Sequence, residues 1–143
     1  RYLGRSFLCL QRCNQRASID DFTENLFLRQ HTRTRAEGAP IPSQVADQLR
    51  GVRFSNFGRQ RESIWKAVAN DSEISQQFSQ RNLQLMKAGN APHPKLEDQI
   101  GRRTKFEVHH KDEIANGGSV YNMDNLVIMT PKQHIEHHRN RSQ

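Results

Sequence analysis

Between Gly38 and Gly89 short apolar clusters recur at helical spacing, separated by polar breaks. Ser43 can cap a helix that carries Val45, Ala46 and Leu49 and stops at Gly51. Ser55 begins another, with Phe57, Ile64, Trp65 and Val68 on one side. Asp71 or Ser72 can cap a short helix with Ile74 and Phe78, and Leu83, Leu85 and Met86 form one more, closed by Gly89. "NAPHPKLEDQIG", with Pro92 and Pro94, reads as an exposed loop. Beyond it the period changes. "KFEVH" alternates as a strand does, "ANGGS" is a turn, and "NLVIM" is a second short strand. "TPKQHIEHHR" is a helix with Thr130 as N-cap and Pro131 at its first position. The pattern therefore predicts an α+β, mostly helical fold. A helical layer comes first, and a strand–loop–strand–helix unit over about 104–139 comes after it.

Upstream, the pattern is looser. "IDDFTENLFL" can form a short helix with Phe22, Leu26 and Phe27 on one side, and "RQHTRTRAEG" reads as a basic linker ending at the turn "GAPIPSQ". This predicts an extension or linker over residues 1–37 and a domain over 38–143. The chain opens on Arg1 rather than Met, as expected of a piece of a longer protein or a processed product. Cys9 and Cys13 are the only cysteines, too few for a disulfide framework, and read as plain thiols.

Composition narrows the classes. With 34% hydrophobic residues in 143, one economical core is the limit. No apolar run approaches the roughly 18 residues of a membrane span, and mean hydropathy is −0.92. The formal net charge of +7, spread along the chain, suits a polyanion bound on a folded surface.

Five of the seven histidines fall in "EVHHKDEIANGGSVYNMDNLVIMTPKQHIEHHRNR". His134 and His138 are i and i+4, so both can grip one metal ion from a single helix face. His137 is i+3 from His134 and can replace His138 on spacing alone. His109, at the end of the first strand, can complete a three-nitrogen site if strand and helix pack face to face. Three protein ligands leave an open position, as in a catalytic site. His110 then points to the opposite face of the strand or turns at its end, and is free to act as a base. A lone His-x-x-x-His or His-His pair is a weak signal, because exposed helices often carry histidines. The two on adjoining elements of one ββα unit are stronger together.

The segment closely resembles the HNH signature of the DNase domains of colicins and S-type pyocins. The match runs in register: Glu-x-His-His, Gly-Gly, Tyr-x-Met-x-Asn, then Thr-Pro-Lys-x-His-Ile-x-x-His. Upstream, "GAPIPSQVADQLRGVRFSNFGRQRESIWKAVANDSEIS" resembles the family's helical part, so the likeness covers about 38–139. Residues 1–37 do not resemble the family's usual start; Arg33 and Arg35 are stand-ins for a functional arginine the family places there.

The resemblance implies a divalent-metal endonuclease (Zn, Ni or Mg) that cleaves DNA with little sequence specificity. His109, His134 and His138 match the metal ligands and His110 the general base. Asn125 matches the central asparagine that holds the loop in shape. Arg103 and Glu107 match a charged pair that positions the phosphate and the base. His137 falls where the family needs no histidine and is a bystander or a phosphate contact. Lys132, Lys111 and Arg139 flank the site as candidate phosphate contacts, Lys132 foremost because helix N-termini attract anions. The resemblance also implies a bacterial toxin, released by its producer and acting in the target cell's cytoplasm, with a small acidic immunity protein as inhibitor. Asn90 and His93 stand in the implied immunity-binding segment, where the family often has aromatic anchors. The competing readings are an HNH endonuclease of a phage or restriction system and a non-catalytic nucleic-acid-binding module with a structural metal.

Overall fold

A computed structural model describes residues 38–142. The expected helix and linker over 1–37, Cys9, Cys13, Arg33 and Arg35 lie outside the described residues. Strand β1 (Ala39–Pro40) leads into helices α1 (Ser43–Leu49), α2 (Phe57–Asn70) and α3 (Gln80–Lys87). Strands β2 (Glu107–His110) and β3 (Leu126–Met129) and helix α4 (Pro131–Arg141) complete the fold. The fold is α+β, with a helical layer ahead of a ββα unit, as the pattern predicts.

The sheet is antiparallel in the order β1–β3–β2. β3 lies between the other two strands and is buried on both faces, which explains its unbroken "LVIM". β1 is a strand where only a turn was expected, because two residues carry no period. It closes on β3 with Ala39 opposite Ile128, and Gly38 makes that approach possible. Gly38 has φ +69°, and a Cβ there would lie 2.7 Å from Met129 Cγ and 2.9 Å from the Ile128 carbonyl.

The helical layer buries Val45, Ile64, Trp65, Val68 and Met86 against Val108, Leu126 and Ile128. Two caps differ from expectation. Ser43 is already helical behind Pro42 and makes no cap bond, while α2 is capped by Asn56, whose side chain accepts from Arg59 N, rather than by Ser55. Asp71 does accept from the backbone of Glu73 and Ile74, but the chain then makes only a 3₁₀ turn at Ser75–Gln77 instead of a helix. α4 starts as predicted. Thr130 Oγ1 accepts from Gln133 N, and Gln133 Oε1 accepts from Thr130 N, a reciprocal capping box.

The segment read as an exposed loop is anchored. Pro92 is fully buried and its carbonyl accepts from Phe106 N (3.0 Å). The buried Asn82 side chain donates to the His93 carbonyl and accepts from its N–H, and Gln99 Nε2 donates to the Pro94 carbonyl. These polar anchors leave no trace in a hydrophobic pattern.

Candidate metal centre

Strand alternation sorts the paired histidines. β2 pairs with β3 so that His109 faces Val127 in register and His110 faces Leu126. Successive side chains point to opposite faces. Glu107 and His109 therefore face α4, while Val108 and His110 face the helical layer.

On the α4 side three imidazoles converge. Candidate ligand nitrogens of His109, His134 and His138 all lie within 4.8 Å of one another. The His109 ring sits 4.6 Å from that of His134 and 5.2 Å from that of His138, and the Nε2 atoms of His134 and His138 approach to 3.0 Å. His109 Nε2 is buried without a hydrogen-bond partner. A nitrogen in that state is a ready metal ligand and an otherwise costly one. Burial, then neighbouring His134, His137 and His138, push the His109 imidazolium down to about 4. Burial and His134 lower His138 as well. Both rings are thus neutral near pH 7, the form that binds metal.

Glu107 and Arg103 support the third ligand. Glu107 Oε2 is hydrogen-bonded to His134 Nδ1, and Arg103 grips both carboxylate oxygens, with Nε 2.8 Å from Oε1. Burial pushes the Glu107 carboxyl up, but the hydrogen bonds from Arg103 and His134 outweigh it and hold the group below its usual range. An ionised carboxylate only accepts, so His134 Nδ1 carries the proton and Nε2 keeps its lone pair. The 2.9 Å approach of Arg103 Nη2 to the same Nδ1 then arises because both groups bond one oxygen. This carboxylate–histidine arrangement orients and strengthens a metal ligand. Glu107 thus contacts the candidate ligand His134, and alternation puts it on the face of β2 opposite His110.

His110 Nε2 lies 2.9 Å from the Val120 carbonyl. A carbonyl only accepts, so Nε2 bears the hydrogen and Nδ1 is left with a lone pair. The ring packs on Phe57 with centroids 4.6 Å apart, and Arg61 lies over the Phe57 face. Asn125 holds the loop that supplies Val120. It is buried, its Oδ1 accepts from Asp112 N (2.8 Å), and its Nδ2 donates to the carbonyls of Asp112 and Ser119. Gly118 fits against that loop because it lacks a Cβ, which would fall 2.0 Å from the Asp112 carbonyl.

The remaining candidates separate. Lys111 Nζ donates to the Asp124 carbonyl (2.8 Å), and Lys132 and Arg139 are exposed on α4. His137 packs beside His109 but is not one of the three converging ligands. Asn90 is exposed; His93 is half-buried, with Nδ1 donating to the Thr104 carbonyl (2.7 Å). One supporting contact escaped the pattern altogether: Arg50, at the end of α1, grips Asp124 with two 2.8 Å bonds and ties the helical layer to the loop before β3. The pair is 74 positions apart, and sequence offers no signal for it.

Known proteins resemble this chain in sequence and in fold. The sequence profile of the family described as Colicin/Pyocin-S2, DNase domain, matches residues 15–139. Pyocin-S2 of Pseudomonas aeruginosa is 55% identical over 106 residues, 74% of this chain but 15% of that protein. Colicin-E7 of Escherichia coli is 44% identical over 102 residues, 71% of this chain and 18% of that protein. The chain thus spans less than a fifth of the length of these curated relatives. Among solved structures, the mutant nuclease domain of pyocin S8, determined with its cognate immunity protein, superposes with a TM-score of 0.72 at 44% identity, covering 77% of this chain and 86% of that one. The pyocin AP41 DNase–immunity complex gives 0.74 at 41%, covering 80% and 88%. Matched by that profile over most of its length, the chain belongs to the colicin and pyocin DNase-domain family.

Proposed function

We propose that this chain is the cytotoxic DNase domain of a bacteriocin, hydrolysing DNA phosphodiester bonds with little sequence specificity. The observation that carries the reading is the split of one His-His pair across β2: one ring joins a three-imidazole centre, and the other keeps a free Nδ1. The residues fit one divalent cation, held by His109, His134 and His138. Nitrogen ligands favour Zn, Ni or Co, whereas Mg would have to accept unusual partners. When bound, such a cation supplies Lewis-acid stabilisation of charge on a phosphate oxygen and on the leaving oxygen.

The chain's own groups do the rest. His110 Nδ1 takes the proton of the attacking water while the Val120 carbonyl fixes the ring and its tautomer. Asn125 holds that carbonyl's loop. Arg103 keeps N–H groups beyond those on Glu107 and can bind a phosphate oxygen. Lys132, Lys111 and Arg139 neutralise neighbouring phosphates. The domain runs from about Gly38, with the preceding residues as an extension of which 15–37 share the family match.

The partner is a small acidic immunity protein, docking on the segment around Asn90 and His93. Both solved neighbours were determined with immunity proteins, which supports this. The toxin is released by its producer and acts on DNA in the cytoplasm of the target cell. Supercoiled-plasmid nicking, after chelation and again after adding Zn, Ni, Co or Mg, tests the reading. Metal-dependent conversion to nicked circles is expected. DNA binding without nicking in every metal would favour the non-catalytic module instead.

A further inference from the structure

One imidazole beside the metal centre has no role in it. His137 lies on α4 with its ring 5.0 Å from that of His109, at 69°, yet it is not among the converging ligands. Its Nε2 is buried without a hydrogen-bond partner. A buried polar nitrogen in that state costs stability unless something satisfies it. His137 also borders a cavity of about 340 Å³, lined besides by His109, Lys111, Pro40, Val127 and Met129.

The lining selects its ligand. It contains no carboxylate, and Lys111 is cationic, so a second metal ion is disfavoured. Lys111 spends one of its three donors on the Asp124 carbonyl and keeps two. Pro40, Val127 and Met129 make the rest of the lining largely apolar. An anion attached to an apolar ring fits this combination, and the volume suits a group of about nucleotide size. Because His109 belongs to both the cavity and the metal centre, that anion would sit next to the reacting phosphate.

We propose that this cavity is a second DNA-backbone subsite. His137 Nε2–H and Lys111 Nζ bind the non-bridging oxygens of a phosphate flanking the scissile one, and its deoxyribose lies against Pro40. The proposal rests on the nuclease reading and adds a contact that the metal triad does not need.

Methylphosphonate interference tests it. Duplexes carrying one neutral methylphosphonate at each position in turn are titrated against metal-loaded His110→Ala protein, in which DNA is bound and cutting is slowed. One position beside the cut should weaken binding about tenfold, as expected when a charge-assisted hydrogen bond is lost. Adding His137→Leu should shrink that position's penalty, leave the others intact, and leave calorimetric Ni affinity unchanged. Lys111→Met, an exposed substitution with little folding risk, should shrink the same penalty. The subsite is overturned if neither variant changes the interference profile, or if His137→Leu loses metal and DNA affinity together, which would make it a support for His109. Metal-dependent nicking by the unsubstituted chain reads the nuclease function separately, so failure of the subsite and failure of the nuclease reading are told apart.

Discussion

At the scale of residues, the proposed chemistry rests on histidines, and a few polar groups hold those rings in place. The set of histidines was legible because each lies in a short segment with a clear period. Alternation and helix spacing could not decide His137 against His138; the resemblance implied His138, and the structure brings that ring to His109 and His134. The Glu107–His134 bond was not legible, since it spans two elements whose packing no pattern encodes. Asn125 is buried and makes three hydrogen bonds, so Asn125→Ala should cost about 2–4 kcal/mol, by the penalty for partners left unpaired. Urea unfolding with the metal removed measures it, and a loss below about 1 kcal/mol would show the loop to be held otherwise. Protonation adds a pH dependence. His109 falls from its ordinary 6.5 to about 4 in the folded state. The unfolded chain therefore binds the extra proton first, and the stability tied to the neutral ring is full above about 6.5 and lost as pH falls towards about 4. Glu107, held below its usual range, loses its contribution in the same direction at more acid pH. Urea midpoints of the metal-free protein should fall from about pH 7 to about pH 5, and His109→Gln should flatten that fall.

At the scale of elements, helices and strands with several apolar positions announced themselves, and those held by polar anchors did not. α2 was readable from Phe57, Ile64, Trp65 and Val68, and α4 from its capping residues. β1 was not, because two residues closing on β3 through Gly38 have no period to read. The segment from Asn90 to Gly101 is exposed at Asn90, Leu96, Glu97, Ile100 and Gly101, as expected, but its anchoring was not legible, because Asn82, a single buried amide on α3, holds it at His93. α4 carries two of the three candidate ligands, and its first turn rests on the Thr130–Gln133 box. Thr130→Ala should lower stability by about 1 kcal/mol, the usual worth of an N-cap. It should weaken Ni binding more than an exposed control such as Arg139→Ala. Calorimetry on both variants checks this, and equal affinities would mean that the ligands keep their geometry without the cap.

At the scale of the whole molecule, fold class was legible and the route between its layers was not. Period changes foretold a helical layer and a ββα unit. The sheet order and the Arg50–Asp124 tie depend on contacts between distant positions. A formal charge of +7 should speed encounter with an acidic immunity protein, so the on-rate should fall steeply with added salt while the off-rate changes little. Stopped-flow mixing across a salt series reads this, and a salt-independent on-rate would rule out steering. The proposed mechanism turns on one histidine pair dividing its labour, His109 holding metal and His110 moving a proton. Plasmid nicking by metal-saturated His110→Ala, at a salt where its DNA affinity equals that of the unsubstituted protein, isolates the proton transfer from binding. The rate should drop by about 10²–10⁴-fold, the usual worth of a positioned general base. Nicking at the unsubstituted rate would contradict the division of labour.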